Sequence, residues 1–343
     1  MRASVIVRSK DEAGRLRLTL ASLAAQTETP EVIVVNDGSC DHTDSILAAA
    51  AAAGMAITTV KHGEPMGRSG AANAGADRAS GEVLMFLDGD TLAAPDWVAR
   101  HMAIHRSRPH VVARGETFHL RCTRFFADPE IGSPMPGEEA RIERLSEAEL
   151  GRMRVTAADI LHNFATVDAR AQPGIYPGAG PRLLYELEMD ALRHDPACSA
   201  LWAAASGSNQ SVTTEAFRKV GGFDRDLTIN EHRELALRLT RGGSVMAPAD
   251  GARTYHMTHR SGWRDPLIDA EWEQRFYRSH QIAEVPLLSV LWASLTEPSP
   301  VPAAARIKTL RELVLAASRC AGPDSADGVR RAHFAAVGVR AAS

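Results

Sequence analysis

The sequence predicts an α/β protein whose mostly parallel sheet carries helices on both faces. Short apolar, β-branched runs alternate with segments of helical periodicity across the first 110 residues. This alternation is typical of doubly wound folds, in which ligands bind at the carboxyl ends of the strands. A chain of 343 residues with 45% hydrophobic and 24% charged side chains suffices for one large domain or two packed ones.

The first eight elements follow one another in regular order. Leu16, Leu20 and Leu23 recur at helical spacing in the first helix, and Gly54 and Gly81 mark the ends of the next two helices. We expect strands at residues 4–8, 31–36, 56–61 and 83–87. We expect helices at residues 11–26, 41–53, 68–80 and 95–105.

The rest of the chain is less regular. Pro-Gly pairs interrupt residues 116–200, within which a charged stretch at 138–154 predicts an exposed helix. Helices are predicted again at 213–220 and 231–241. We therefore divide the chain into an α/β half with the predicted ligand crevice (1–115), an insertion expected to set substrate specificity (116–200), a second half that completes the domain (201–260) and a mainly helical C-terminal extension (261–343).

Composition excludes several classes of protein. The 39 basic and 42 acidic side chains give a net charge of −3, which argues against nucleic-acid binding. The four cysteines lie far apart in sequence, which predicts reduced thiols rather than a disulfide framework or a zinc knuckle. The longest apolar stretch, residues 285–295, is too short to span a membrane. We expect a cytoplasmic protein without a transmembrane segment, with peripheral attachment to the inner membrane face as an alternative.

Three motifs follow the predicted strands. Asp37 stands in a glycine turn after the second strand, where it either accepts hydrogen bonds from a base or ribose or caps the turn. Gly67 and Arg68 open the helix after the third strand, which favours an anion. Asp88 and Asp90 follow the fourth strand on either side of a glycine, and two such carboxylates predict a Mg²⁺ or Mn²⁺ site that carries a diphosphate.

Together these motifs resemble family 2 inverting glycosyltransferases with the GT-A fold. The resemblance covers residues 3–110 and 200–260 and rests on VIVVNDGSCDHT, on GRSGAANAGADRASGEVLMFLDGDTLAAPDW and on SGSNQSVTTEAFRKVGGFDRDLTINEHRELALRL. It implies a Rossmann-like sheet, a nucleotide-diphosphate sugar donor and a metal, Mn²⁺ or Mg²⁺. It also implies donor-binding roles for Asp37, Gly67, Arg68, Asp88, Ser208 and Asn209, and metal-ligating roles for Asp90, Asp88 and His256.

The chain departs from the family at the catalytic base. The family has Glu-Asp where this chain has Glu231 and His232, so His232 occupies the base position. If Asn230 caps the following helix, the helix dipole lowers the pKa of both groups and keeps His232 neutral. We expect His232 or Glu231 to be the base, with a preference for His232. Glu234, or an acceptor that needs little help from a base, is the alternative.

The resulting functional expectation is a metal-dependent transfer with inversion, by single displacement, from a UDP-sugar such as UDP-GlcNAc or UDP-Glc. The acceptor would be a hydroxyl or amine of a soluble small molecule or of a carrier-bound group, and a homodimer through the C-terminal helices is expected. A nucleotide-sugar pyrophosphorylase and a catalytically silent nucleotide-sugar-binding protein are the alternatives. His256 and His259 are half of a zinc motif, but neither a cysteine nor a nearby Glu motif completes it in the sequence.

Overall fold

A computed structural model describes residues 1–174, 183–259 and 271–320, together with Leu267 and Gly328. The strands of the main sheet are β1 (Ala3–Ser9), β2 (Glu31–Asp37), β3 (Ile57–His62), β4 (Val83–Asp88), β5 (Thr91–Ala93), β6 (Val111–Leu120), β9 (Gln210–Thr213) and β10 (Val245–Met257). A separate hairpin pairs β7 (Phe126–Asp128) with β8 (Ser133–Pro134).

The helices lie between and after these strands. In chain order they are α1 (Ala13–Ala24), α2 (Thr43–Ala52), α3 (Gly67–Arg78), α4 (Trp97–Ser107), α5 (Glu139–Ile142), α6 (Glu147–Met153), α7 (Ala157–His162), α8 (Phe164–Asp168), α9 (Leu184–His194), α10 (Thr214–Lys219), α11 (Glu231–Arg241), α12 (Glu271–His280), α13 (Glu284–Ser294) and α14 (Leu310–Ser318).

The eight strands of the main sheet run in the order β3-β2-β1-β4-β9-β6-β10-β5. Pairing is parallel from β3 to β4 and between β6 and β10, whereas β9 is antiparallel to both β4 and β6, and β5 is antiparallel to β10. The predicted mostly parallel α/β sheet is therefore confirmed. Because β9 runs against its neighbours, the residues before it, rather than those after it, lie at the ligand-binding edge.

Hydrophobic residues on both faces hold the sheet between its helices. Alternate residues of β1 point to opposite sides: Ile6 packs in one core with Phe86, and Val5 packs in the other with Met85. All seven residues of β1 are buried. This burial on both faces explains why the strands read as continuous apolar runs in the sequence.

The eight elements expected in the first 110 residues form within two residues of their expected bounds. The sequence missed β5, β6, β9 and β10. Strand β6 crosses the expected boundary at 115/116, so the first part of the proposed insertion belongs to the main sheet, which corrects that boundary. The charged stretch forms two helices instead of one, because Ser146 makes a capping box with Glu149 and starts α6 anew.

The C-terminal part is helical over its described residues, as expected. Helix α13 coincides with the apolar stretch noted in the sequence and is buried along its whole length. It packs inside the chain itself, and the expected homodimer through the C-terminal helices stays a prediction. Among the described residues no helix has the length and apolar character that crossing a membrane requires. Residues 329–343, which contain most of the Ala/Arg-rich tail, lie outside the described part.

Candidate active site

A cavity of about 660 Å³ opens at the carboxyl ends of the parallel strands. The ends of β1, β2, β4, β6 and β10 reach it, as does the first turn of α11. This is the position that the strand–helix alternation predicts. The residues expected at the site that line the cavity are Asp37, Gly67, Arg68, Asp88, Asp90, Ser208, Glu231, His232 and His256.

Asp37 fixes the start of helix α3. Its Oδ1 accepts a hydrogen bond from the Met66 backbone N–H at 2.8 Å, and its Oδ2 accepts one from the Gly67 N–H at 2.9 Å. His62 Nδ1 lies 2.7 Å from the same Oδ1. Gly67 has φ +75°, a left-handed conformation that favours glycine. Asp37 and α3 are thus joined into one wall of the cavity, with Arg68 exposed at its rim.

Asp88 is engaged by Arg8, a residue that the sequence analysis did not select. The Nη2 and Nε atoms of Arg8 donate to Asp88 Oδ1 at 2.5 and 3.0 Å, and Nη1 donates to Glu231 Oε1 at 3.1 Å. Burial opposes the charge of Arg8, but the two carboxylates outweigh it and raise the pKa of the guanidinium. Asp88 therefore forms an ion pair through Oδ1, and its expected metal-binding role stays a prediction.

Asp90, His256 and His259 form a group whose ligand atoms lie within 4.8 Å of one another. Asp90 Oδ2 is 3.2 Å from His256 Nε2 and 2.8 Å from His259 Nε2. One carboxylate with two imidazoles fits Mn²⁺ or another transition-metal ion better than Mg²⁺, which prefers oxygen ligands. The sequence analysis set His259 aside because neither a cysteine nor a nearby Glu motif completed a zinc site. Its partner in the structure, Asp90, lies 169 residues away along the chain.

Glu12 is a second residue that the sequence missed at this place. A Cβ at position 89 would lie 2.5 Å from Glu12 Oε1, so the glycine between Asp88 and Asp90 makes room for the carboxyl. Burial raises the pKa of Glu12 well above its usual value, and the charges of Asp90 and Asp88 raise it further. Three carboxyl groups thus converge beside the candidate metal site.

Glu231 and His232 occupy the first turn of α11, as expected. Glu231 is 2% exposed, and its Oε2 is buried without a hydrogen-bond partner in the described structure. Burial opposes its ionisation, but His232, Arg8 and Arg68 outweigh this and hold the pKa of Glu231 well below its ordinary value. Glu231 is therefore a buried, ionised carboxylate whose Oε2 has no hydrogen-bond partner in the described structure.

His232 is bound through one ring nitrogen to its neighbour in sequence. Arg233 Nη1 lies 2.8 Å from His232 Nε2. An arginine can only donate, so Nε2 must accept and cannot serve as a base. Burial and the charge of Arg233 both lower the pKa of His232, although Glu231 raises it. This geometry reverses the sequence-based preference for His232 over Glu231.

Two other sequence-based expectations for this helix are wrong. Asn230 has φ 60° and makes no side-chain cap; its Oδ1 instead accepts from Arg233 Nη1 at 2.7 Å. Glu234, the alternative base, faces away from the cavity and pairs with Arg238 at 2.6 Å and His280 at 2.8 Å. Its carboxylate has a structural role, since it connects α11 to His280 at the end of α12.

A buried ion-pair network joins α11 to helix α9. Glu188 of α9 accepts from Arg233 Nη2 and from Arg114 Nη2, both at 2.7 Å. All three side chains are at most 7% exposed. A pair with both charges buried stays in place because leaving either side unpaired costs several kcal/mol, about 3–5 in comparable cases. Glu188 therefore fixes the position of Arg233 through an ion pair, and Arg233 fixes the ring of His232 through its contact with Nε2.

Ser208 lines the cavity, but Asn209 does not. Asn209 Oδ1 accepts from Trp97 Nε1 at 2.8 Å and is 2.9 Å from His101 Nε2, while Nδ2 donates to the Ala252 carbonyl at 2.9 Å. Its side chain is fully buried. The expectation that Asn209 contacts the donor is corrected: its amide ties the loop at Ser208 to the core.

Comparison with known proteins agrees with this geometry. Residues 4–147 match the model of glycosyl transferase family 2. We refer to residues 4–147, which are less than half of the chain and are similar to this family, as the family 2 domain. An uncharacterized glycosyltransferase, YfnE of Bacillus subtilis (strain 168), is 37% identical over 118 residues, which are 34% of this chain and 30% of YfnE. The matched residues include strands β1 to β8 and the site residues Asp37, Asp88 and Asp90.

Two further relatives extend beyond the family 2 domain. Validoxylamine A glucosyltransferase of Streptomyces hygroscopicus subsp. jinggangensis (strain 5008) is 29% identical over 290 residues, or 81% of this chain. The match covers 60% of that protein, so this chain spans less than two thirds of the curated relatives that it matches. The crystal structure of S. aureus TarS 1-349 with UDP-GlcNAc has a TM-score of 0.51 at 15% identity and covers 84% of this chain and 67% of TarS 1-349. That similarity places the family 2 domain in a GT-A fold.

Proposed function

We propose that this protein is a metal-dependent, inverting glycosyltransferase that moves a sugar from a UDP-sugar to a hydroxyl or amine. The observation that supports the proposal is one cavity whose lining residues include both the Asp90–His256–His259 group and Glu231. A transfer with a diphosphate leaving group needs charge neutralisation at one end and a base at the other. The cavity offers both.

The relatives support the class of donor and acceptor. Two of the similar proteins are a validoxylamine A glucosyltransferase and TarS, the latter in complex with UDP-GlcNAc. We therefore propose UDP-glucose or UDP-GlcNAc as donor and a small-molecule or carrier-bound acceptor. Asp37, Gly67 and Arg68 would bind the nucleotide part, and Ser208 the sugar, because these residues line the cavity between the strand ends and α11.

The proposed metal-binding residues are Asp90, His256 and His259. A divalent cation held there would neutralise the negative charge of the leaving diphosphate. The charged Arg8, buried between Asp88 and Glu231, keeps both carboxylates in fixed positions. Asp88 lines the same cavity.

Glu231 is the proposed base. The acceptor oxygen or nitrogen attacks the anomeric carbon as the bond from that carbon to the diphosphate oxygen breaks, and the bonding pair leaves with the diphosphate. The acceptor proton passes to Oε2 of Glu231, which no group of the described protein occupies. A single displacement inverts the anomeric configuration.

Calorimetric titration with UDP, GDP, dTDP and CDP, each with and without Mn²⁺, tests the donor class. We expect binding that is selective for UDP, requires Mn²⁺ and is lost in Asp90→Ala. The matched control is Asp190→Ala, which removes an exposed carboxylate outside the cavity. Absence of nucleotide binding by a folded wild-type protein would refute the proposal. Binding without turnover of any donor, including slow hydrolysis, would instead indicate a silent nucleotide-sugar-binding protein.

A further inference from the structure

We propose that His119 is a positioning residue for the metal site: its Nδ1 accepts a hydrogen bond from Nδ1–H of His256 and so directs Nε2 of His256 towards the metal ion. The inference rests on the proposed function, since it concerns the cation that Asp90, His256 and His259 would hold. The sequence analysis did not select His119. In the structure its Nδ1 lies 3.3 Å from Nδ1 of His256, and both residues line the cavity of the candidate active site.

The pairing of β6 with β10 brings the two imidazoles together. The strands run parallel, and His119 is the register partner of His256. Register partners on neighbouring strands project their side chains from the same face of the sheet. On its other side, the backbone N–H of His119 donates to the Gln172 carbonyl at 2.8 Å, and its carbonyl accepts from the Gln172 N–H at 2.9 Å. The backbone of His119 is therefore fixed from both sides.

The metal site determines which of the two rings donates. Nε2 of His256 faces Asp90, at 3.2 Å from Oδ2, so Nε2 is the nitrogen that would bind the cation. A ligating nitrogen uses its lone pair, and a neutral imidazole then carries its proton on the other nitrogen, here Nδ1. A hydrogen bond needs one donor and one acceptor, so Nδ1 of His119 must supply the lone pair.

His119 can adopt the required tautomer without losing another hydrogen bond. With a lone pair on Nδ1, its neutral ring carries the proton on Nε2. Within the described part of the chain, Nε2 of His119 has no hydrogen-bond partner, so no contact there selects the opposite tautomer. His232 differs in this respect, because Arg233 holds its Nε2 as an acceptor.

A stacked tyrosine holds the plane of the His119 ring. The rings of His119 and Tyr185 are nearly parallel, with an interplanar angle of 2° and centroids 5.8 Å apart. On the Tyr185 ring, the guanidinium of Arg114 lies 5.4 Å from the centre. His119 is 4% exposed. The stack and the burial oppose the rotation that would turn Nδ1 of His119 away from His256.

His119 acts through His256 and not as a fourth ligand. The group of ligand atoms within 4.8 Å of one another contains Asp90, His256 and His259, and His119 is not part of it. An acceptor behind a ligating imidazole fixes the orientation of the ring and raises the basicity of the ligating nitrogen. Both effects favour the bound cation, so the contact between the two histidines should be measurable as metal affinity.

Two substitutions at position 119 separate this role from packing. His119→Asn keeps an acceptor close to the position of Nδ1, because both atoms are bonded to Cγ, but it removes the aromatic ring. His119→Phe keeps the ring that stacks on Tyr185 and removes the acceptor. We expect the Phe variant to bind Mn²⁺ about 10- to 100-fold more weakly than the wild type, and the Asn variant less than about threefold more weakly.

Titration of the full chain with Mn²⁺, with and without UDP, followed by electron paramagnetic resonance, measures these affinities. A loss in the Phe variant no larger than that in the Asn variant would overturn the proposal and leave the metal site in place. A folded wild-type chain that binds no Mn²⁺ under either condition would refute the metal site itself and this inference with it. The two failures are therefore distinguishable.

Nitrogen NMR of the ¹⁵N-histidine-labelled wild-type chain provides a second measurement, which does not depend on the stability of the Phe variant. Zn²⁺ takes the place of Mn²⁺ because it is diamagnetic and accepts the same ligand types. With Zn²⁺ bound, we expect a proton on Nδ1 of His256 and none on Nδ1 of His119, with signals assigned by their loss in His256→Ala and His119→Asn. A proton on Nδ1 of His119 would overturn the proposal.

Discussion

Nε2 of His232 lies 2.8 Å from Nη1 of Arg233. Because of this contact between adjacent residues, we do not propose the imidazole as the catalytic base. The sequence places a titratable ring at the position where the family has its catalytic aspartate. In three dimensions that ring is already an acceptor for a cation. The proposed base is therefore the neighbouring carboxylate, Glu231, whose Oε2 has no hydrogen-bond partner in the described structure.

Glu231→Gln is expected to lower turnover about 10²- to 10⁴-fold, the usual contribution of a general base. Binding of UDP should change by less than about threefold, since the amide keeps an oxygen that can accept from Arg8. Release of UDP from UDP-glucose and calorimetry measure the two effects. Glu215→Gln, an exposed substitution on α10, should leave both unchanged. Full turnover in Glu231→Gln would exclude Glu231 as base.

His259→Ala is expected to weaken the Mn²⁺-dependent part of UDP binding at least about tenfold, to the same extent as His256→Ala. Both imidazoles approach the same oxygen of Asp90, so each would supply one ligand atom. Titration of Mn²⁺ by electron paramagnetic resonance measures the affinity without requiring turnover. His194→Ala, on the exposed face of α9, is the control. An unchanged Mn²⁺ affinity in His259→Ala would remove this residue from the metal site.

Asn209→Ala is expected to destabilise the protein by about 2–4 kcal/mol, because it leaves several buried hydrogen-bonding groups without partners. The groups that lose their partner are Trp97 Nε1, His101 Nε2 and the Ala252 carbonyl. Urea denaturation measures the loss. Ser208→Ala should show the opposite pattern, with unchanged stability and a raised KM for the donor, because Ser208 lines the cavity. Normal stability of Asn209→Ala would contradict the structural role.

Acid should destabilise the protein through two buried histidines on α4. Burial lowers the pKa of His101 and of His105 from the ordinary 6.5 to about 4. Between pH 6.5 and 4 the unfolded chain binds both protons and the folded chain does not, so stability falls as the pH falls. Each histidine contributes about 3 kcal/mol of this loss, since one pKa unit corresponds to about 1.4 kcal/mol.

Urea denaturation at pH 7.5 and at pH 5, in the wild type and in His101→Gln/His105→Gln, measures this dependence. The double variant should lose most of the pH dependence whatever its absolute stability. The two rings share Ser211 Oγ, at 2.8 Å from each, so one substitution alone would disturb both. A double variant that retains the wild-type slope would assign the acid sensitivity to other groups.

Local patterns predicted the parts of the site that one strand and its following turn provide. Asp37 and Asp90 follow apolar strands, and the rule that parallel strands present their carboxyl ends together places them at one edge. No local pattern pairs Asp90 with His259, or Arg8 with Glu231, which is 223 residues away. Those pairings depend on the position of β10 in the sheet and of α11 beside it, and the sequence did not predict β10.

Sequence patterns also gave wrong predictions where a different residue of the fold bound the side chain to which the pattern assigned a role. Asn230 has the residue type of a helix cap, but the guanidinium of Arg233 takes its side-chain oxygen. Asn209 belongs to a family motif, but groups on α4, β6 and β10 use all of its hydrogen-bonding capacity. Residue type indicates what a side chain can bind, and only the surrounding fold determines which partner it meets.

The ion pair of Glu188 with Arg233 has a consequence for engineering acceptor preference. A chimera in which residues 121–200 come from a relative without an acid at position 188 would confine two guanidinium groups, those of Arg114 and Arg233, in the core without a counter-charge. The graft would misplace His232 even if every acceptor-contacting residue had been copied correctly. Residues 121–200 therefore cannot be exchanged alone, and positions 114 and 233 must be exchanged together with them.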